Sequence, residues 1–174
     1  MDARREFEKV YAACEPAVRA FVLRRIDPGG VDDVVSEVFL AAWRRRGQIP
    51  DDPLPWLFNI SRGVVSNRRR SHGRGAALLE RLTREEVASV AARSAEVDLG
   101  VADALARMSA ADQELLLLVA WEGLSGAQLA AAVGASRATV AMRLSRARRR
   151  FGRVLQTVGD SSARRDSSNV EVLK

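Results

Sequence analysis

The chain has 174 residues, of which 47% are hydrophobic and only 5% aromatic, and its net charge at neutral pH is +6. This composition allows a packed core and favours helices over sheet, because alanine and leucine dominate. One cysteine excludes an intrachain disulfide, and one cysteine with one histidine cannot build a zinc site. The pI of about 10.8 suggests a polyanionic partner, although an arginine-rich composition can also follow from genomic GC bias.

The N-terminal stretch MDARREFEKV is charged and lacks an apolar segment, so it does not resemble a secretory signal. The longest apolar run, Leu115 to Trp121, is far shorter than the ~20 residues that span a membrane and fits a buried helix. We therefore expect a cytoplasmic protein without membrane insertion.

Residues 1–75 are predicted to form three helices. Apolar residues recur at helical spacing from Phe7 to Ile26, and a Pro-Gly-Gly breaker ends this first helix. The second helix begins near Asp32, where acidic residues lie at the positive end of the helix dipole, and ends before Gly47. A constrained loop with three prolines, residues 48–55, precedes a third helix. That helix begins near Leu54 and carries a basic run, namely Arg62, Arg68, Arg69, Arg70 and Arg74.

A glycine-containing break at residues 73–75 leads into a predicted linker, residues 76–98, whose first part (76–92) can be helical. Residues 99–158 form a second predicted unit, with a short helix from Leu99 and an apolar helix that Ser109 caps. The polar residues 159–174 are expected to be a frayed or disordered tail. The predicted fold class is all-α, with two small helical domains joined by a linker.

The stretch from Ser125 to Phe151 has the pattern of a helix-turn-helix. Ser125 and Ser136 are predicted N-caps, and Gly134 is a predicted left-handed helix end. The second helix has an apolar face of Val140, Leu144, Ala147 and Phe151. The rest of its surface is basic, carrying Arg137, Arg143, Arg146, Arg148, Arg149, Arg150 and Arg153. A glycine turn followed by a basic helix is typical of proteins that read the DNA major groove.

The sequence offers no support for an enzymatic site. His72 lies in a basic stretch without a nucleophile pattern, and residues 123–127 are not a nucleophile elbow because the last position is alanine. A Walker-type phosphate loop does not occur. The acidic residues Asp32, Asp33 and Glu37 are explained by their position at a helix start. We therefore expect neither a metal nor a cofactor.

Basic helices in both predicted units argue for contact with DNA at two places. Either basic run alone would be read more simply as a solvated helix face. The run around Arg146 lies within a helix-turn-helix pattern, however, and the run around Arg69 follows a helix that Trp56 opens. Together these contexts favour DNA binding.

Three segments together resemble the extracytoplasmic-function (ECF) sigma factors, the smallest group of the sigma-70 family of bacterial transcription initiation factors. Asp33–Trp43 is similar to the family's D-x-x-Q-E-x-F-x-x-x-W segment, and Trp56–Arg62 is similar to W-L-x-x-I-A-R. Leu115–Arg150 resembles the fourth region, and the whole resemblance covers residues 5 to 155. It implies a protein that directs core RNA polymerase to promoters and assists DNA melting, without catalytic chemistry of its own.

The resemblance also implies two contacts with core polymerase, at the β′ clamp helices and the β flap. In the family, the acidic-aromatic segment binds the clamp helices. The matching positions imply that the polymerase-binding residues are Asp33, Glu37, Phe39, Leu40 and Trp43. The aromatic ones are expected to pack partly inward. A possible further partner is an anti-sigma factor, which in this family often clamps the two domains together.

For promoter DNA, the family's tryptophan-led helix reads and melts the minus-ten element. This implies contacts from Asn59, Arg62, Gly63, Ser66, Asn67, Arg69 and Arg70. The last helix of the fourth region reads the minus-thirty-five element, which implies contacts from Arg137, Ala138, Thr139, Ala141, Arg143, Arg146, Arg148 and Arg149. We expect base-edge contacts from Arg137, Ala138, Ala141 and Arg143, and phosphate contacts from the later arginines. The linker corresponds to the segment that threads toward the RNA exit path.

Several positions depart from the family pattern. Ser36 stands where glutamine is frequent, Gly63 where asparagine is frequent, and Gln128 where glutamate is common. Residues 48–55 hold prolines and aspartates where many members have an aromatic and basic residues to capture a flipped minus-ten base. The Leu-Pro-Trp-Leu form at residues 54–57 is similar to a variant of actinobacterial members.

Two other functions stay open at the level of the sequence. A stand-alone helix-turn-helix regulator would use its first domain for dimerisation or ligand sensing, and it would bind a palindrome without polymerase. An RNA-binding adaptor would expose aromatic side chains for base stacking. Few aromatics are present and most lie on apolar faces, which argues against the second alternative.

Overall fold

The structure, a computed structural model, describes residues 3–72 and 99–171, and it describes side chains within 3–71 and 100–158. These residues form seven α-helices: α1 (Ala3–Leu23), α2 (Val31–Arg44), α3 (Pro53–His72), α4 (Leu99–Ala106), α5 (Ala110–Ala120), α6 (Gly126–Val133) and α7 (Arg137–Glu171). Two 3₁₀ turns flank α2, at Pro28–Gly30 and Arg46–Gln48. The described part of the chain holds no strand, so the all-α prediction is confirmed. The predicted linker, its helical part and the break at 73–75 lie outside the described residues.

The first three helices pack on one another around a core that includes Phe21, Val34 and Phe58. The rings of Phe21 and Phe58 stack with centroids 4.9 Å apart, which joins α1 to α3. Ser61 is fully buried in this core, and its hydroxyl donates to the carbonyl oxygen of Leu57 at 2.8 Å, so its polar group is satisfied.

The remaining helices pack around the N-terminal half of α7, which contacts α4, α5 and α6. Val140 and Ala147 are buried on its inner face, and Leu144 and Phe151 are partly buried beside them, as the apolar spacing predicts. Gln113 of α5 is buried, and its Nε2 donates to the carbonyl oxygens of Leu105 and Met108. These bonds fix the turn between α4 and α5.

The turn between α6 and α7 forms as its sequence predicts. Gly134 has a φ of 69° and ends α6 in the left-handed conformation, where glycine carries no steric penalty. The hydroxyl of Ser136 accepts from the backbone N–H of Thr139 at 3.2 Å and caps α7. At the other end of α6, the backbone N–H of Ser125 donates to the side-chain oxygen of Gln128 at 3.2 Å.

Three sequence-based boundaries need correction. α1 ends at Leu23 rather than Ile26, which leaves the next two arginines in a turn. α3 begins at Pro53, because a proline is tolerated in the first turn of a helix, where its missing N–H has no partner anyway. Residues 159–171, which the sequence predicts as part of a frayed or disordered tail, continue α7 to Glu171. No proline interrupts α7, and extending a nucleated helix costs little.

The two groups of helices also share a core. α3 packs against α6, and one cluster of buried apolar residues runs from Val18 and Phe58 to Leu118, Leu129 and Val140. The sequence predicted the two units but not this contact between them. None of the described helices is both long and apolar enough to cross a membrane.

Candidate nucleic-acid and polymerase surfaces

The outward face of α7 holds the residues expected to read the upstream DNA element. Arg137, Ala138, Ala141 and Arg143 are exposed on its first two turns, and Arg146, Arg148 and Arg149 are exposed on the next two. Within the part of the chain whose side chains are described, none of these arginines forms an ion pair. Their guanidinium groups are therefore available for phosphates or base edges.

Two other residues of this helix make contacts within the protein. Thr139 is half-buried, and its hydroxyl lies 2.8 Å from the hydroxyl of Ser136, so it belongs to the helix cap. Arg150 forms an ion pair with Asp112 at the start of α5. That pair holds α7 against α5 and separates Arg150 from the free arginines around it.

Met142 is a residue of this surface that the sequence reading missed. Its side chain is 48% exposed and lies in the middle of the basic face. Its spacing could have indicated an exposed position, because Met142 is a large apolar residue outside the buried series Val140, Leu144, Ala147 and Phe151.

The residues expected to contact the minus-ten element divide into two groups on α3. Asn59 and Arg62 face α6. The Nδ2 of Asn59 donates to the carbonyl oxygen of Ala131, and Nη1 of Arg62 donates to that of Ala132, both at 3.0 Å. The last carbonyls of a helix lack partners within it, so these two side chains cap the end of α6.

The second group lies further along α3 and faces away from α6. Gly63, Ser66, Asn67 and Arg70 are all exposed, and Nη2 of Arg70 donates to Oδ1 of Asn67 at 2.5 Å. Arg69 differs from these neighbours, because its Nη2 donates to the carbonyl oxygen of Arg25 at 2.7 Å. Arg69 thus stabilises the turn after α1.

A cluster of charged residues joins the turn after α1, and α3, to α5 and to the turn after α5. Glu122 lies 2.6 Å from Arg24 and 3.4 Å from Arg25, measured between nitrogen and carboxylate oxygen. Glu114 lies 3.4 Å from Arg25 and 3.3 Å from Arg62. Burial lowers the pKa of Arg25 below its ordinary value, and the two carboxylates oppose that shift. We call these five residues the charge cluster.

A further polar contact connects the same two groups of helices. Nε2 of Gln128, near the start of α6, donates to Oδ2 of Asp52 in the loop before α3 at 2.9 Å. The proline-rich loop is therefore held against α6. The α3–α6 interface consequently has a polar contact at each end of α6.

The expected polymerase surface is an exposed edge of α2. Asp33 and Glu37 are exposed, and Leu40 is 50% exposed although it is apolar. Trp43 is half-buried, with its ring edge-on to Phe7 at 5.1 Å between centroids.

Phe39, in contrast, is only 4% exposed, so it faces the core. The exposed Tyr11 of α1 packs beside it, with ring centroids 4.5 Å apart. Phe39 therefore supports this surface from within, and Tyr11 and Leu40 supply its exposed apolar area. The sequence did not predict Tyr11 as part of the polymerase surface.

Comparison with known proteins assigns both groups of helices. The family described as Sigma-70 region 2 matches residues 10–75, and the family described as Sigma-70, region 4 matches residues 99–151. The probable RNA polymerase sigma factor RfaY of Xanthomonas campestris pv. campestris is 35% identical over 154 residues. That match covers 82% of this chain and 38% of RfaY, so the chain spans well under half of that relative.

Two relatives match over most of their own length. The RNA polymerase sigma factor NccH of Alcaligenes xylosoxydans is 31% identical over 155 residues, covering 83% of this chain and 82% of NccH. The ECF RNA polymerase sigma factor SigL of Mycobacterium tuberculosis is 32% identical over 144 residues, covering 76% of this chain and 78% of SigL.

Solved structures give the same assignment. The sigma factor RpoE of Bartonella quintana, in complex with the anti-sigma factor NepR, superposes with a TM-score of 0.60 at 25% identity, covering 87% of this chain and 98% of RpoE. CnrH in complex with the cytosolic domain of CnrY gives a TM-score of 0.57 at 28% identity, covering 88% and 90%. This chain therefore belongs to the ECF group of the sigma-70 family and is an RNA polymerase sigma factor.

Proposed function

We propose that this sigma factor reads an upstream promoter element with the outward face of α7 and opens a downstream element with α3. It lends sequence specificity to the polymerase and has no catalytic chemistry of its own. The observation that carries the proposal is the face of α7, where Arg137, Arg143, Arg146, Arg148 and Arg149 are exposed without a described ion pair. A helix of this kind is suited to the major groove, where arginine reads guanine and phosphate.

The downstream element first contacts the exposed residues of α3. Gly63, Ser66, Asn67 and Arg70 are accessible, whereas Asn59 and Arg62 are occupied by the carbonyl oxygens of α6. Asn59 and Arg62 can therefore contact DNA only after α6 leaves α3. Extruding and holding a base costs a few kcal/mol, which the polymerase and the opened strand must offset together.

Core polymerase binds on α2, at the exposed edge that holds Asp33, Glu37, Leu40 and Trp43. The carboxylates pair with basic side chains of the β′ clamp helices, and the apolar residues exclude water from the contact. The second group of helices binds the β flap. The protein acts in the cytoplasm, where the polymerase works.

An anti-sigma factor is a further proposed partner, because RpoE was solved with the anti-sigma factor NepR. Such a partner inhibits by covering α2 and by keeping α6 on α3. Affinity purification from the native host, in the presence and absence of the inducing condition, tests this part. If core polymerase co-purifies under every condition and no inhibitory protein is recovered, this part of the proposal is contradicted.

The central experiment is reconstitution with core RNA polymerase, followed by run-off transcription on fragmented genomic DNA. We expect discrete start sites that share an upstream element, and no sequence-specific start sites with core polymerase alone. The Leu40→Asp variant should lose binding to core polymerase while the isolated protein remains folded. Tight binding to a palindrome without polymerase, combined with no transcription, would favour a stand-alone regulator instead.

A further inference from the structure

The exposed methionine of α7 is unusual for its position. Met142 is 48% exposed, whereas the other large apolar side chains of this helix between Val140 and Val158 are buried or partly buried. Around it the surface is basic, with Arg143 beside it in the chain and Arg146 one turn further on. An apolar side chain within a basic surface is suited to a partner that offers both phosphate and apolar area.

Helix geometry places Met142 at the centre of the outward face. Successive residues of an α-helix are rotated by about 100°, so Met142 lies nearly opposite the buried Val140 and Ala147. Its neighbours on the face include the small, exposed Ala138 and Ser145, at four residues before and three after, and the exposed Arg146, at four residues after. Met142 therefore shares this face with two small residues and with an arginine.

The chemistry of the major groove identifies one group that such a side chain can recognise. A thioether is at most a weak acceptor and cannot donate a hydrogen bond, so it cannot read the amino or carbonyl groups of bases. The one apolar group that a standard base presents in this groove is the C5 methyl group of thymine. An unbranched, polarizable methionine adapts its shape to such a group.

We propose that Met142 is a specificity-determining residue that selects a thymine in the upstream promoter element through its C5 methyl group. This inference rests on the proposed function, in which α7 enters the major groove. Arg146, Arg148 and Arg149 bind phosphates and hold the helix in register. Met142 then contacts the base edge at the middle of the contacted segment.

Replacing thymine by uracil removes only the methyl group, so it isolates the contact. A promoter is first selected with reconstituted holoenzyme from fragments with a randomised upstream element, and each thymine of the selected element is then replaced singly by deoxyuridine. We expect one replacement to weaken wild-type holoenzyme binding about fourfold, the effect of one buried methyl group. The Met142→Leu variant should keep this sensitivity, and Met142→Ala and Met142→Gln should lose it.

The controls separate this inference from the proposed function. Leu23→Ala removes an apolar side chain that is equally exposed but lies at the end of α1, and it should leave the uracil effect unchanged. If holoenzyme selects an element but no thymine is methyl-sensitive, the assignment of Met142 is wrong and the proposed function stands. The same holds if Met142→Ala weakens all promoters equally or lowers affinity for core polymerase, because Met142 would then contact DNA non-specifically or a protein. If holoenzyme selects no element, both fail.

Discussion

Asn59 donates a hydrogen bond from Nδ2 to the carbonyl oxygen of Ala131 at 3.0 Å, which links α3 to the end of α6. Because Arg62 donates to the next carbonyl, of Ala132, two side chains expected at the minus-ten element hold the two groups of helices together. The contact with α6 thus occupies two donors that we propose for the minus-ten element. Contact of these donors with DNA and their contact with α6 exclude each other.

The charge cluster makes the first prediction. Glu122→Gln leaves Arg24 and the buried Arg25 without their shared carboxylate, so we expect the free energy of unfolding to fall by about 3 kcal/mol. Urea unfolding followed by circular dichroism measures this change. Glu8→Gln is the matched control, because Glu8 pairs with Arg4 on the exposed surface of α1 and should change little. Equal, small effects of both substitutions would show that the cluster does not stabilise the interface.

The turn glycine makes the second prediction. Gly134 has a positive φ, and a Cβ built there would lie 2.9 Å from Nδ2 of Asn59. Gly134→Ala should therefore lower the free energy of unfolding by about 1–2 kcal/mol, the cost of the left-handed conformation, and should also displace Asn59. Gly63→Ala is the contrasting control, since a Cβ at that helical position meets nothing and should stabilise by about 0.5–1 kcal/mol. In an Asn59→Ala background, Gly134→Ala should lower the free energy of unfolding by less. An unchanged decrease would show that the contact between the new Cβ and Asn59 contributes nothing.

The helices and their caps could be predicted because their signals are local. The spacing of Val140 and Ala147 indicates a buried face, and Ser136 and Gly134 supply the capping chemistry within a few residues. The family motifs also located the two groups of helices. Element ends were less certain, because Pro53 reads equally well as a loop residue and as a first-turn residue.

The contacts between α3 and α6 could not be predicted, because their partners are far apart in sequence. Asn59 and Arg62 bind backbone carbonyls of α6. Every residue carries such a carbonyl, so the sequence does not indicate which ones accept these bonds. Arg69 illustrates the same limit. In the sequence it is one arginine of a basic run, but in the fold its guanidinium binds the carbonyl of Arg25. Only the tertiary structure separates arginines that stabilise the protein from those that face solvent.

Arg69 and its neighbour Arg70 therefore make a third prediction. Arg69→Ala should lower the free energy of unfolding by about 1 kcal/mol or more, because it leaves the carbonyl of Arg25 without this donor. Arg70→Ala should leave stability unchanged, since Arg70 is exposed, and should weaken promoter opening by holoenzyme. Chemical denaturation and permanganate footprinting measure the two effects. The reverse pattern would mean that Arg69, rather than Arg70, faces the opened strand.

The pH dependence of stability makes the fourth prediction. Burial raises the pKa of the Cys14 thiol, and the charge of Asp52 adds to this shift. A group whose pKa is higher in the folded state favours folding fully below its unfolded pKa, and this contribution is lost as pH rises toward the folded pKa. The unfolding free energy should therefore fall as pH rises above about 8.5, the ordinary pKa of a cysteine thiol. Cys14→Ala should remove this part of the decline, so a parallel pH profile in the variant would contradict the assignment.

The arginines of α7 make the last prediction, which separates positioning from base recognition. Arg149→Ala should weaken holoenzyme binding to all promoters alike and lower the slope of log K against log salt by about one, because one phosphate contact is lost. Arg137→Ala should instead reduce discrimination between promoters, by about 1–3 kcal/mol if it reads a guanine. Binding measured from low to moderate salt on two unrelated promoters distinguishes these effects. Arg150→Ala is the control, because the Arg150 guanidinium is already paired with Asp112, so this variant should lower stability slightly and leave the salt slope unchanged.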